Sequence, residues 1–80
     1  MDVNVLDFRA KGDGSSLDTE AFQSAIDQCH AFGGGTVHVP QGSYRIGTIE
    51  LKSNVMLELA FGAVLLASEN PKDYRKAYPA

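Results

Sequence analysis

The hydrophobic pattern of this chain of 80 residues contains one helix-like segment. Within residues 18–32, apolar side chains recur three and four positions apart, the spacing of one face of an amphipathic helix. The members of this apolar stripe are Phe22, Ala25, Ile26 and Cys29. Ser16 or Asp18 can cap the start of the helix, and Gly33 provides the backbone freedom that ends it. The pattern therefore predicts a single helix over residues 18–32.

The segments on both sides of this helix read as short strands. Val3 and Val5 alternate with Asn4 and Leu6. This alternation predicts a first strand that extends towards Phe8. Residues 10–16 are rich in glycine and small polar side chains, which predicts a loop. After the helix, short strands are predicted at residues 36–39, 44–46, 48–51, 55–59 and 63–67.

The spacing of the later strands favours stacked coils over an antiparallel meander. They recur every ~7 to 8 residues, so three of them would form one coil in the ~20–50 residue range of solenoid repeats. Their connections are too short for crossover helices, and they lack the Asn-Gly or Asp-Gly pairs of tight hairpins. We therefore expect a β-solenoid, all-β apart from its helix, with the helix covering the open end of the first coil.

The last two strands differ in their patterning. Val55, Leu57 and Leu59 are expected to point inward while Glu58 faces solvent. Residues 63–67 are apolar throughout, which indicates that both faces are covered or that one meets a partner coil. Asn70-Pro71 ends the ladder, and we expect an exposed, aggregation-prone edge there if the chain exists alone.

Composition narrows the function classes. The chain is at most one small domain, spanning residues 1–80, and its net charge is −3 with scattered basic residues, which argues against nucleic-acid binding. Cys29 is a single cysteine, so it has no internal disulfide partner. No signal-peptide pattern or membrane-length apolar run occurs. We expect a cytoplasmic protein if Met1 is the true start, and a secreted or periplasmic one otherwise.

The glycine clusters do not indicate phosphate binding. Gly12-Asp13-Gly14 stands between a strand and a helix, but Leu17 occupies the third glycine position of a dinucleotide fingerprint. Asp18 and Glu20 then place negative charge where a pyrophosphate needs a positive helix end. Gly33-Gly34-Gly35 precedes a strand and lacks the lysine of a P-loop. No cofactor is expected.

The acidic residues raise the question of glycoside chemistry, which uses paired carboxylates. Asp7 and Asp13 fit loop hydrogen bonding and turn formation, and Asp18 fits a helix start. None lies at a spacing that fixes a pair across a groove. An aromatic and basic cluster near the C-terminus could face a sugar or an acidic polymer, although a docking tail is the favoured interpretation: Tyr74, Arg75, Lys76 and Tyr78.

The histidines and the cysteine carry weak signals. His30 lies near the C-terminus of the predicted helix, where the helix dipole favours a cation. His38 alternates outward between two valines, which indicates a structural or surface role. Cys29 lies on the apolar helix face and is expected in the core. No catalytic, cofactor-binding or metal-binding residue is therefore predicted in this chain.

The chain resembles the N-terminal region of the polygalacturonase family, glycoside hydrolase family 28, of the pectin lyase-like superfamily. The front half of the match is shared with pectate lyase-like, epimerase and phage tailspike proteins, whereas residues 51–55 and 62–66 favour the hydrolase. Two departures are Arg9, where the family usually has glycine, and Leu17, where it often has aspartate. The matching stretches are residues 7–8, 10–14, 18–19, 21–23, 25–26, 33–37, 39–40, 42, 44, 51–55, 62–63 and 73–74.

The resemblance implies a right-handed parallel β-helix with an N-terminal capping helix. It also implies hydrolysis of α-1,4 bonds between galacturonates in pectin, with inversion and without a metal. The family carries its catalytic groups in Asn-x-Asp, Asp-Asp, Gly-His-Gly and Arg-x-Lys motifs on middle coils. We expect none of these four motifs in this chain, so no catalytic residue is carried over.

We therefore expect the cap and first coils of a pectin-degrading hydrolase, inactive alone, on whose C-terminal end the remaining coils pack. The alternatives are the cap of a polysaccharide lyase or epimerase of the same fold, and a carbohydrate-binding module without activity.

Overall fold

The computed structural model describes residues 1–68, which wind into three successive coils. Each coil contributes one strand to each of two sheets. The elements are β1 (Asp2–Asn4), a 3-10 helix η1 (Val5–Phe8), β2 (Asp13–Leu17), α1 (Thr19–Ala31), β3 (Gly35–Val39), β4 (Gly42–Ile46), β5 (Val55–Leu59) and β6 (Ala63–Ala67).

Both sheets are parallel, with strand orders β1-β3-β5 and β2-β4-β6. Thr36 pairs with Met56, 20 positions later, and Ser43 pairs with Val64, 21 positions later. One coil after the helix therefore takes about 20 residues, at the lower end of the expected range. The predicted parallel solenoid is confirmed.

The third side of the coils is built differently from the other two. In the first coil this side is α1, and in the second it is the segment 47–54, which runs beside the helix. Thr19 Oγ1 accepts a hydrogen bond from the Gly47 backbone N–H at 2.8 Å. Gln23 Oε1 accepts one from the Glu50 N–H at 2.7 Å, and Gln23 Nε2 donates to the Glu50 carbonyl at 3.1 Å.

These contacts explain why the strand expected at residues 48–51 is wrong. The chain there meets a helix, and helix side chains rather than a strand backbone bind its N–H and C=O groups. Each described coil therefore has two strands, not three.

The apolar stripe of α1 lies in the core, as predicted. The helix itself lies within one residue of the expected limits at each end, and it packs against η1, β1 and β3. Its stripe thus covers the interior of the first two coils. The buried apolar side chains are Val3, Val5, Ala10, Ala21, Phe22, Ala25, Ile26, Cys29, Val37, Val39 and Tyr44.

The first coil departs from expectation at two places. The first strand ends at Asn4, because the Asn4 side chain accepts the Leu6 N–H at 2.9 Å and starts η1, which buries Val5 completely. The loop expected over residues 10–16 contains β2, whose polar residues pair with β4 from Asp13↔Ser43 to Leu17↔Arg45. A parallel neighbour, rather than hydrophobic pattern, makes this segment a strand.

In the last described coil only part of the expected burial is reached. Val55 and Leu57 pack against the core and Glu58 is exposed, as predicted, but Leu59 is 42% exposed. Residues 63–67 are covered on one face, since Leu65 packs against the core while Val64 is 46% exposed.

Two earlier expectations lie outside the described residues: the break at Asn70-Pro71 and the C-terminal cluster around Tyr74. Within residues 1–68, no helix is long and apolar enough to cross a membrane.

Candidate functional site

Asp18 joins the first loop to the start of α1. It is only 3% exposed, and its carboxylate accepts the backbone N–H groups of Lys11 at 3.0 Å and Gly12 at 3.1 Å. Asp18 occupies the N-cap position, as predicted, but its side chain makes no cap bond to the helix. Its carboxylate instead fixes the loop that leads into β2.

Asp13 organises the next turn. Its carboxylate accepts the N–H groups of Ser15 at 2.9 Å and Ser16 at 2.7 Å, and the Ser16 hydroxyl donates to it at 3.0 Å. These hydrogen bonds, led by the Ser16 N–H, hold the pKa of Asp13 below its usual value. The expected turn-forming role of Asp13 is confirmed. Ser16, the other candidate cap of α1, forms hydrogen bonds with Asp13 and does not cap the helix.

Asp7 borders an open cleft of about 420 Å³ between η1 and the start of α1. Phe8, Arg9, Glu20 and the buried Asp18 also line this cleft. Arg9 has a φ of 75°, the left-handed conformation that glycine adopts more readily, at the position where the resembling family usually has glycine. The cleft combines exposed carboxylates, one guanidinium and an aromatic ring.

The expectation that all four family motifs are absent is wrong for one of them, because the spacing Arg-x-Lys occurs once, at Arg9 and Lys11. It lies in the first coil, before α1, whereas the resembling family carries that motif on middle coils. The matching spacing therefore does not identify Arg9 or Lys11 as a catalytic residue.

His38 lies on the outer face of the β1-β3-β5 sheet between two carboxylates. Its Nδ1 is 3.0 Å from Glu58 Oε1, its partner in register on β5, and its Nε2 is 3.7 Å from Asp2 Oδ2 on β1. All three side chains are at least 39% exposed. The surface role predicted for His38 is confirmed, with an acid in each neighbouring coil.

His30 and Cys29 have structural contacts. His30 Nδ1 lies 3.2 Å from the Ser53 carbonyl oxygen, so it holds the third side of the second coil. Cys29 is completely buried, and its Sγ lies 3.5 Å from the Met1 carbonyl oxygen. The predicted core position of Cys29 is confirmed.

A polar stripe on α1 was missed by the sequence analysis. Thr19, Gln23 and Asp27 lie four positions apart and face residues 47–54. Asp27 Oδ1 accepts hydrogen bonds from Lys52 Nζ at 2.8 Å and Gln23 Nε2 at 2.9 Å, and the Lys52 contact is the main cause that lowers the Asp27 pKa. A signal was available, because polar residues at i, i+4 and i+8 share one helix face.

The acidic side chains described above bind other groups of the protein and so stabilise the fold. Asp13 and Asp18 bind backbone N–H groups, and Asp27 binds an ammonium group. Within residues 1–68, no group of three or more His, Cys, Asp or Glu side chains could hold a metal ion.

Comparison with known proteins identifies the family. Residues 2–59 match the family model described as rhamnogalacturonase A/epimerase, pectate lyase-like. The chain belongs to this family. The glycines, loop acids and helix stripe described above all fall within the matched residues.

Curated relatives include enzymes with different activities. The chain is 45% identical over 76 residues to an exo-poly-α-D-galacturonosidase of Dickeya chrysanthemi, a match that covers 95% of this chain and 12% of that protein. It is 52% identical over 65 residues to mannuronan C5-epimerase AlgE3 of Azotobacter vinelandii, covering 71% of this chain and 4% of that protein. The chain thus spans a small fraction of the length of these relatives.

The fold also matches a solved structure closely. A family 28 exopolygalacturonase of Yersinia enterocolitica superposes with a TM-score of 0.90 and 49% identity, covering 98% of this chain and 13% of that one. The resemblance to family 28 is confirmed. The fold is that of a right-handed parallel β-helix, with a helical cap and the first coils present in this chain.

Proposed function

We propose that this chain forms the cap and first coils of a glycoside hydrolase that cleaves α-1,4-galacturonosyl bonds in pectin with inversion. The observation that carries the proposal is the extent of the matches. The exogalacturonosidase match covers 95% of the chain and the exopolygalacturonase structure 98%, whereas the AlgE3 match covers 71%. Likeness to the hydrolases therefore extends over more of the chain.

In this proposal the chain contributes structure and the later coils contribute catalysis. Inverting hydrolysis needs one carboxylic acid that protonates the leaving oxygen and carboxylates that activate a water, at a wide separation. Asp18 already binds backbone N–H groups of the first loop, and Asp13 binds those of the turn that follows it. Further coils stacking on β5 and β6 would supply the catalytic groups, and a pectin polysaccharide would be the substrate of the whole protein.

The test is an assay of the full-length product of the parent gene on polygalacturonate. Hydrolysis releases reducing ends without ultraviolet-absorbing unsaturated sugars, and NMR of the first products shows inverted anomeric configuration. Unsaturated products would overturn the proposal in favour of a lyase.

We further propose that the 80-residue chain alone does not hydrolyse polygalacturonate. The same reducing-end assay on the purified chain checks this, with the full-length product as the positive control. Release of reducing ends in proportion to the amount of chain would contradict the proposal that the catalytic groups lie in the later coils.

The second candidate function is epimerisation or lyase action on a polyuronate, favoured by the 52% identity to AlgE3. A full-length epimerase would convert mannuronate to guluronate in polymannuronate without shortening the polymer, as read by NMR. A carbohydrate-binding module without activity would bind a glycan and leave polygalacturonate and polymannuronate unchanged.

A further inference from the structure

His38 lies at the centre of a row of three side chains that crosses three coils. Glu58 of β5 is its partner in register, and Glu58 Oε1 lies 3.0 Å from His38 Nδ1. Asp2 of β1 lies diagonally on the other side, with its Oδ2 3.7 Å from His38 Nε2. One acid therefore faces each ring nitrogen, and the three side chains belong to three successive coils.

The two protonation states of the His38 ring suit this row differently. A neutral imidazole has one N–H donor and one nitrogen that only accepts, whereas an imidazolium has two N–H donors. If the neutral ring donates to Glu58, its other nitrogen presents a lone pair to the Asp2 carboxylate. Only the imidazolium attracts both carboxylates. Histidine is the side chain that ordinarily changes its charge between about pH 5 and pH 8.

No other charge competes for this row within residues 1–68. The carboxylates of Asp2 and Glu58 have no further hydrogen bond or ion pair there. The Met1 ammonium group donates instead to the Gly34 carbonyl at 3.0 Å. η1 and α1 contact β3 from the core side, and none of their titratable groups pairs with His38. These groups are Asp7, Glu20, Asp27, Cys29 and His30.

The row also includes a residue of the shortest strand. β1 has three residues and, among the described strands, pairs only with β3. It nevertheless carries the core residue Val3, which is 8% exposed. Short terminal segments open locally at a lower free energy than the core of a fold. A contact from β3 to Asp2 therefore acts on a part of the cap that is prone to open.

We propose that His38 is a pH-dependent bridge that joins the first three coils when its ring is protonated. In mildly acidic solution the imidazolium holds Asp2 of β1 and Glu58 of β5 against β3. Above neutral pH the uncharged ring donates to one acid only, and β1 opens more often. Since the folded chain gains the second contact only with the proton bound, the added stability is present at low pH and is lost as the pH rises from about 5 to about 8.

This His38 bridge concerns the cap itself. It does not depend on which polysaccharide the whole protein acts on, or on the reaction that the later coils perform. All three side chains are exposed, so the attraction is screened by salt and its effect on stability is modest.

Hydrogen exchange of the β1 amides in the 80-residue chain tests the bridge, with rates corrected for the intrinsic pH dependence of exchange. At low salt we expect protection at about pH 5.5 to exceed that at about pH 8 by about two- to fivefold, the range of exposed ion pairs. His38→Gln, which keeps a polar side chain without the charge, should abolish this ratio. Asp2→Asn should remove most of it, and added salt should reduce it in the unmodified chain.

His30→Gln is the matched control. His30 is the other histidine of the chain, and its Nδ1 faces the Ser53 carbonyl oxygen rather than an acid. The substitution removes a group that titrates over the same pH range and should leave the β1 ratio unchanged. Circular dichroism checks that each variant is folded at both pH values. Because the ratio is taken within one variant, a general loss of stability does not imitate a loss of pH dependence.

Three outcomes would overturn the proposal. Equal protection of β1 at both pH values in the unmodified chain would mean that protonation of His38 adds no contact. A ratio that persists in His38→Gln, or that disappears in His30→Gln, would assign the pH dependence to another group. A ratio that is unchanged in Asp2→Asn would limit the histidine contact to Glu58 and rule out a bridge across three coils.

Discussion

Phe22 of α1 and Tyr44 of β4 meet edge to face, with ring centroids 5.4 Å apart and ring planes at 66°. Both side chains are completely buried, and the Tyr44 hydroxyl donates a hydrogen bond to the Pro40 carbonyl at 2.8 Å. Burial raises the pKa of Tyr44, which keeps the hydroxyl protonated as a donor. This pair joins the helix of the first coil to the second coil.

Truncating Phe22 should therefore uncouple the helix from the coils. We expect Phe22→Ala to lower the free energy of unfolding by about 3–5 kcal/mol, because a large buried ring leaves a cavity. Phe61→Ala is the control, since Phe61 is fully exposed and should change stability by less than about 0.5 kcal/mol. Both are read by urea unfolding followed by circular dichroism, at low concentration to keep chains apart. Equal losses would contradict the central role of the ring pair.

The buried carboxylate of Asp18 should be more important for stability than the exposed carboxylate of Asp7. Asp18→Asn places an amide NH₂ beside one of two backbone N–H donors, so one donor loses its acceptor. We expect a loss of about 1–3 kcal/mol in unfolding free energy. Asp7→Asn, in the cleft wall, should have little effect. Thermal unfolding of both variants checks this, and a larger loss in Asp7→Asn would be the contrary result.

Two neighbouring glycines should respond differently to alanine. A Cβ on Gly35 would overlap the Met1 backbone, whereas a Cβ on Gly33 would meet no atom within 4 Å. Gly33→Ala therefore adds only the strain of its φ of 94°, about 1–2 kcal/mol. Gly35→Ala must also displace the N-terminal strand and should cost several times more. Chemical denaturation measures both, and similar losses would show that the N-terminus can move away.

Arg9→Gly should stabilise the fold. Arg9 has a φ of 75°, which costs a non-glycine residue about 1 kcal/mol, partly offset by the greater chain entropy that glycine adds to the unfolded state. Asn54→Gly is the comparison, because Asn54 has a φ of 65° but asparagine tolerates this region better. We expect a gain of a few tenths of a kcal/mol at position 9 and none at position 54, measured by thermal unfolding. A loss in Arg9→Gly would show that the arginine side chain stabilises the cleft.

The sequence predicted those helices and strands whose own hydrophobic pattern marks the buried face. The helix stripe around Phe22 and Ile26 and the alternation of Val37 and Val39 both indicate their buried faces directly. It did not predict β2 or the irregular third side. Those segments depend on neighbours from other coils, namely β4 for β2 and Gln23 for residues 47–54.

The structural role of the loop acids was predicted correctly, but not all of the residues that they contact. Asp13 follows the local rule for turns, because its partners lie two and three residues away. Asp18 reaches back six and seven residues to Gly12 and Lys11, which no helix-cap rule specifies. Asp27 was missed because its partner Lys52 lies 25 positions away, across two coils.

The ion pair between Asp27 and Lys52 gives a pH-dependent prediction. The pKa of Asp27 is lowered in the folded chain, mainly by the Lys52 hydrogen bond, so its contribution is present above the unfolded pKa near 3.8 and is lost as the pH falls through the lower folded value. With Asp27 47% and Lys52 32% exposed, we expect Asp27→Asn to cost only about 0.2–1 kcal/mol at pH 7. That difference from the unmodified chain should shrink below about pH 4 and in high salt.

Urea unfolding at a series of pH values measures this difference, with Lys52→Gln alone and combined with Asp27→Asn as controls. A cost that stays constant from pH 7 to acid, or that persists in the Lys52→Gln background, would show that Asp27 acts through Gln23 instead.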